Sequence, residues 1–157
     1  MKNRAVRLLV IILFIAYCLL LARFIVFKGP FHQIADHFRN YHEGVFEKGY
    51  EWSNFTPFRT LYYYLSLQED AGTGLRNIGG NIFLFIPYGF LIPLVFRKAR
   101  TLMKVLLIVL FSSLFFELLQ LMFAIGNFDV DDLLLNGIGG TTGYAFSKLL
   151  PGNRLKD

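Results

Sequence analysis

The sequence predicts an all-α membrane protein with four transmembrane helices, both termini cytoplasmic, and an amphipathic interfacial helix between the first two spans. Three observations lead there. Several apolar runs reach the ~20 residues that a helix needs to cross a bilayer. Only 17% of residues are charged, whereas a soluble domain carries about 25%. The basic residues gather at the ends of the apolar runs, which makes the net charge of +5 a topological signal and argues against a nucleic-acid partner. At 157 residues the chain has room for one helical bundle, so residues 1–157 form a single domain.

The first span covers about 6–27, behind Lys2, Arg4 and Arg7. Its apolar stretch is too long for a signal-peptide core and no small-x-small cleavage site follows, so it reads as an uncleaved anchor. The second span covers about 78–96 and the third about 103–125. The fourth, about 133–150, contains Asn136-Gly-Ile-Gly139-Gly-Thr-Thr-Gly143 and is the least apolar. Gly139 and Gly143 have the small-xxx-small spacing that brings helix backbones together, so this span is expected inside the bundle. A re-entrant hairpin is the alternative. Pro87, Gly89 and Pro93 in the second span mark a structural kink, because an internal proline removes a backbone hydrogen bond.

Four spans place both termini on one side, and basic residues decide which. The termini and the 97–104 turn hold ten basic residues; the other side holds five, beside nine acids. Residues 28–77 and the short 126–132 turn therefore face outward. Phe31, Ile34, Phe38, Tyr41 and Val45 recur at spacings of three and four after Gly29-Pro30, the pattern of an interfacial amphipathic helix. His32, His37 and His42 are five apart, so they do not share a helical face and predict no metal centre. Trp52 and the Tyr62–Tyr64 run suit a membrane–water interface. The sole cysteine, Cys18, lies in the first span, which excludes an intrachain disulfide and reads as packing.

Chemistry concentrates around Glu117, in the middle of the third span. A carboxylate there costs about 2.5–3.5 kcal/mol on insertion scales and needs a partner, a proton or a task. Gln120 lies on the same face nearer the outer end. Asn81 on the second span, Asn136 on the fourth and Arg23 on the first fall in the same outer half of the membrane, while the cytoplasmic halves are almost purely apolar. Glu117 is either protonated or paired, with Arg23 as the candidate partner. Asp129, Asp131 and Asp132 suit the dipole at the start of the fourth span. With Glu117 they also have the ligand chemistry of a divalent-cation site, but no metal or other cofactor is predicted. Two readings of the polar set stay open: glue between helices, or an outward cavity for a lipid headgroup.

Residues 54 to about 144 resemble the VanZ-like membrane proteins. The resemblance rests on Asn54-Phe-Thr-Pro57-Phe58-Arg-Thr60, Asn77-Ile-Gly-Gly-Asn81 running on to Pro87-Tyr-Gly89 and Pro93, Glu117-Leu-Leu-Gln120, and Asp129-Val-Asp-Asp132-Leu-Leu-Leu-Asn136-Gly-Ile-Gly-Gly140. It implies a bacterial cytoplasmic-membrane protein, some of whose relatives raise resistance to teicoplanin and similar lipoglycopeptides. Related chains often carry an arginine just before the aspartate motif; here Asn127-Phe128 stands there, and Arg59 or Arg76 would have to replace it.

The ligand-binding candidates are thus Asn81, Glu117, Gln120, Asp129, Asp132, Asn136, Arg23, Arg59 and Asn54. The expected partners are membrane lipids and a lipid-linked cell-wall precursor or lipoglycopeptide; homo-oligomerisation is open. The favoured role is non-enzymatic binding at the cell envelope. An intramembrane enzyme would use Glu117 and Asp132 as acid and base, but the chain has no nucleophile motif and no histidine in a span. A lipid transporter or flippase would need an oligomer, since polar residues confined to one leaflet give no path through.

Overall fold

The computed structural model describes residues 4–25, 39, 44–66, 71–123 and 125–150. The expected amphipathic helix and the three histidines fall almost wholly outside these residues. Helices run over Arg4–Ile25 (α1), Val45–Glu51 (α2), Arg59–Leu65 (α3), Ala71–Val95 (α4), Leu102–Phe123 (α5) and Val130–Lys148 (α6). No strand forms among the described residues; one parallel backbone bridge joins Asn54 to Asp129.

Among the described residues, three helices are long and apolar enough to cross a membrane: α1, α4 from Gly72, and α5, with mean hydropathies of 2.8, 1.8 and 2.3. Helix α6 is not among them. Its 19 residues include Asp131, Asp132 and Lys148, and its glycines and threonines contribute little hydropathy. It is one continuous helix rather than a hairpin, and it supplies much of the interior: Leu135, Asn136, Gly137, Gly139, Gly140, Gly143, Tyr144 and Ser147 are all buried.

The most extensive helix packing joins α4 and α6. A side chain at Gly143 would run into the Ile86 carbonyl and the Phe90 backbone, and one at Gly89 would meet the backbone of Gly140. Glycine at these two positions is what lets the backbones touch. Helix α4 continues through both Pro87 and Pro93, and Pro93 is fully buried.

Helix α5 packs on α6 through one stripe, Val105, Val109, Ser113, Glu117 and Gln120, at spacings of three and four. Its opposite face leaves Leu107, Phe111, Phe115, Leu118 and Met122 exposed, as a surface turned to hydrocarbon would be. Helix α1 is mostly exposed and docks on α4. Phe14 stacks on Tyr88 and meets Phe96 edge-on, with centroids 5.7 and 5.5 Å away. The Tyr17 hydroxyl donates to the Leu84 carbonyl at 2.6 Å.

Two ends of the bundle result. At one, α1 and α5 finish, α4 and α6 begin, and residues 44–66 lie across them. At the other, the 96–101 turn joins α4 to α5.

Candidate functional site

The polar residues singled out in the sequence collect at the 44–66 end, where hydrogen bonds tie three segments together. Asn54 anchors the first segment. Its N–H donates to the Phe128 carbonyl at 2.7 Å, and its carbonyl accepts from Val130 N–H at 3.0 Å. Its side-chain Nδ2 donates to Asp129 Oδ1 at 2.9 Å and to Thr60 Oγ1 at 3.0 Å, while Oδ1 accepts from Thr56 N–H at 3.0 Å. Both donors and the acceptor of one buried amide are therefore used. Ser53 adds a second strap: its Oγ accepts from Phe128 N–H at 3.1 Å and donates to the Gly49 carbonyl at 2.8 Å.

Asp129 caps α6. It sits in extended conformation, and its Oδ1 accepts from Asp131 N–H at 2.9 Å, the N-cap geometry that satisfies a free donor of the first turn. Its own N–H donates to Glu117 Oε2 at 2.9 Å. Glu117 is 1% exposed, so a buried carboxylate ties α5 to the start of α6.

Asp131 is fully buried and points the other way. Its Oδ1 accepts from Phe58 N–H at 2.5 Å, and its Oδ2 accepts from Thr60 N–H at 2.8 Å and Leu61 N–H at 3.1 Å. These donors lie at the start of α3, so the carboxylate satisfies backbone groups that no helical carbonyl reaches. Phe58 precedes α3 at φ 67°, ψ 2°, in the left-handed region. Asp132 takes a third direction and accepts from Asn81 Nδ2 on α4 at 2.5 Å.

Two cavities open at this end. One, of about 420 Å³, is bordered by the carboxylates of Asp129 and Asp132, the amides of Asn54 and Asn77, and the rings of Trp52 and Tyr63. Asn77 is held there by a 2.7 Å bond from its Nδ2 to the Tyr64 hydroxyl. The other, of about 640 Å³, shares Trp52, Asn54, Thr60 and Tyr63 and adds Glu51 and Arg59. The two cavities thus share aromatic and amide residues, with Asp129 and Asp132 bordering one and Arg59 the other.

Asn54, Asp129, Asp132 and Arg59 border these cavities. Asn81 bonds Asp132 from α4, and Glu117 supports Asp129 from α5. Gln120 and Asn136 are buried among the helices instead. Gln120 Nε2 donates to the Ile25 carbonyl at 2.8 Å, capping the end of α1, and Asn136 Nδ2 donates to Ser113 Oγ at 2.8 Å. Arg23 is exposed in the last turn of α1. Among the described residues, no three His, Cys, Asp or Glu side chains gather in a metal-holding group.

Sequence reasoning missed three things: the anchoring role of Asp131, the Ser53 strap, and the Asn77–Tyr64 pair. The signal for Asp131 was visible only as a second acid beside the N-cap. Its partners are backbone N–H groups, which every residue type carries.

Comparison with known proteins gives two findings. The model of the VanZ/LLP1 family matches residues 14–151. Protein VanZ of Enterococcus faecium is 39% identical over 80 residues, covering 50% of this chain and 49% of that protein, so the matched region spans about half of the relative. No solved structure matches.

Proposed function

The chain belongs to the VanZ/LLP1 family, and we propose from that premise that it is a cell-envelope protein of the bacterial cytoplasmic membrane, contributing to glycopeptide resistance by binding rather than by catalysis. In this reading α1, α4, α5 and α6 all cross the membrane. Both termini and the 97–104 turn face the cytoplasm, and the 44–66 end faces outward. Helix α6 crosses as the interior helix, shielded by α4 and α5, which relieves it of the need for a hydrocarbon-like composition.

The observation that carries the proposal is the cavity lined by Asp129, Asp132, Asn54 and Asn77 beneath Trp52 and Tyr63. Carboxylates and amides suit amines and hydroxyls, aromatic faces suit sugar rings, and Arg59 next door suits a phosphate. A lipid headgroup, a lipid-linked wall precursor or a lipoglycopeptide presents several of these groups at the depth where α4 and α6 begin. Arg59 takes the place of the arginine that related chains carry before the aspartate motif. Glu117 acts from below by fixing Asp129.

The test is growth of a teicoplanin-susceptible bacterium expressing the chain, with membrane levels checked by immunoblot. Protection is expected for the parent chain and loss of protection for Asp132→Asn, Arg59→Gln and Glu117→Leu at equal levels. Full protection by both Asp132→Asn and Arg59→Gln removes this surface from the mechanism.

A further inference from the structure

At the opposite end of the bundle, three arginines converge on one narrow cleft. Arg7 from the start of α1 and Arg97 and Arg100 from the turn after α4 line it, with Leu94 and Val95 as its apolar wall. Among the described residues, no acidic side chain borders it. The Arg100 Nε is buried and has no hydrogen-bond partner. A buried guanidinium donor without an acceptor is costly, so a site that leaves one open is built for an acceptor from outside the chain.

The cleft is also held in place. The Tyr144 hydroxyl donates to the Arg100 carbonyl at 2.9 Å, tying the turn to α6. Ala99 is buried, and its N–H closes the turn onto the Phe96 carbonyl at 2.9 Å. Phe14 against Phe96 fixes α1 beside the same turn and so brings Arg7 to it. The space inside is about 10 Å³, enough for roughly one water-sized oxygen. That is too small for a whole anion but fits one of its oxygens, and Arg7 and Arg97 at its border are both exposed.

We propose that this cleft binds the phosphate of an anionic phospholipid at the membrane surface. Guanidinium forks match phosphate oxygens, and basic pockets between membrane helices recruit such headgroups. An apolar groove of about 540 Å³ leaves the same turn, lined by Phe96, Leu107, Ile108 and Phe111 with Lys98 and Lys104 beside them. It gives an acyl chain of that lipid a course along α5. This site is distinct from the cavities at the other end and does not depend on what they bind.

The experiment is native mass spectrometry of the full chain, purified in detergent and titrated with phosphatidylglycerol or with phosphatidylcholine of the same acyl chains. Phosphatidylglycerol is expected to be retained about tenfold more strongly. Arg97→Gln and Arg100→Gln are each expected to weaken that preference about fivefold, while Arg39→Gln, an exposed position between α1 and α2, leaves it unchanged. Should Arg100→Gln fail to fold, the exposed double variant Arg7→Gln/Arg97→Gln decides. Equal retention of the two lipids overturns the proposal, as does a preference that survives the double variant. Complete displacement by millimolar inorganic phosphate overturns it too, because the cleft would then take free phosphate rather than a lipid headgroup.

Discussion

Asp131 holds Phe58 in a left-handed backbone conformation from 73 residues further along the chain. A non-glycine residue at φ 67° costs roughly 1–2 kcal/mol relative to the right-handed region. The buried carboxylate compensates by taking three N–H groups from Phe58, Thr60 and Leu61 at once. The first turn of α6 therefore fixes the loop that roofs the cavities, and loop and helix form one unit.

Asp131→Asn is expected to lower stability by about 3 kcal/mol, because an amide offers one acceptor and turns its NH₂ toward donors. Thermal unfolding in detergent measures it, alongside limited proteolysis within 52–66. Unchanged stability and unchanged protease resistance would mean that the loop is held by something else. Phe58→Gly should act in the opposite direction, by about 1 kcal/mol, since glycine adopts this conformation freely and Phe58 is 64% exposed.

Glu117→Gln should cost no more than about 1 kcal/mol, because the amide oxygen can still accept from Asp129 N–H. Glu117→Leu removes the acceptor and should cost about 2 kcal/mol or more. The same thermal assay separates the two. A Gln variant as unstable as the Leu variant would show that the charge, and not the acceptor, holds α5 to α6.

The helical class, the apolar runs and the interior position of Gly139 and Gly143 were legible in the sequence because each follows from local composition and spacing. So was the gathering of Asn81, Glu117 and Asp132 at one end, since depth follows from counting residues along a helix. Which residues face a cavity was not legible. Asp129, Asp131 and Asp132 are neighbours in sequence, yet they send their carboxylates to Asn54, to the α3 backbone and to Asn81. Those directions depend on where the 44–66 segment lies. One partner in most of the bonds that position it is a backbone group, which leaves no trace in residue type.

Gly143→Ala and Gly89→Ala are expected to destabilise by about 2–3 kcal/mol or to abolish folding, because each new methyl meets backbone that no rotamer can move aside. Gly80→Ala, on α4 with nothing near its Cβ position, should instead stabilise by roughly 0.5–1 kcal/mol through helix propensity. Melting temperatures of the three variants in one detergent make the comparison. Equal tolerance at all three sites would mean that α4 and α6 are not in backbone contact.

Orientation can be read with single cysteines, because Cys18 is the chain's sole cysteine and Cys18→Ala gives a blank background. Phe55, Lys98 and Leu149 are exposed positions at the two ends of the bundle. In intact cells a membrane-impermeant maleimide should label Phe55→Cys, while Lys98→Cys and Leu149→Cys should react only after permeabilisation. Phe55 and Lys98 bracket α4, so their opposite behaviour fixes its direction. Leu149 follows α6 directly and so decides whether that glycine-rich helix crosses the membrane. Labelling of Leu149→Cys from outside, together with Phe55→Cys, would place both ends of α6 on the outer side. The chain would then have three spans, with α6 packed in the outer leaflet.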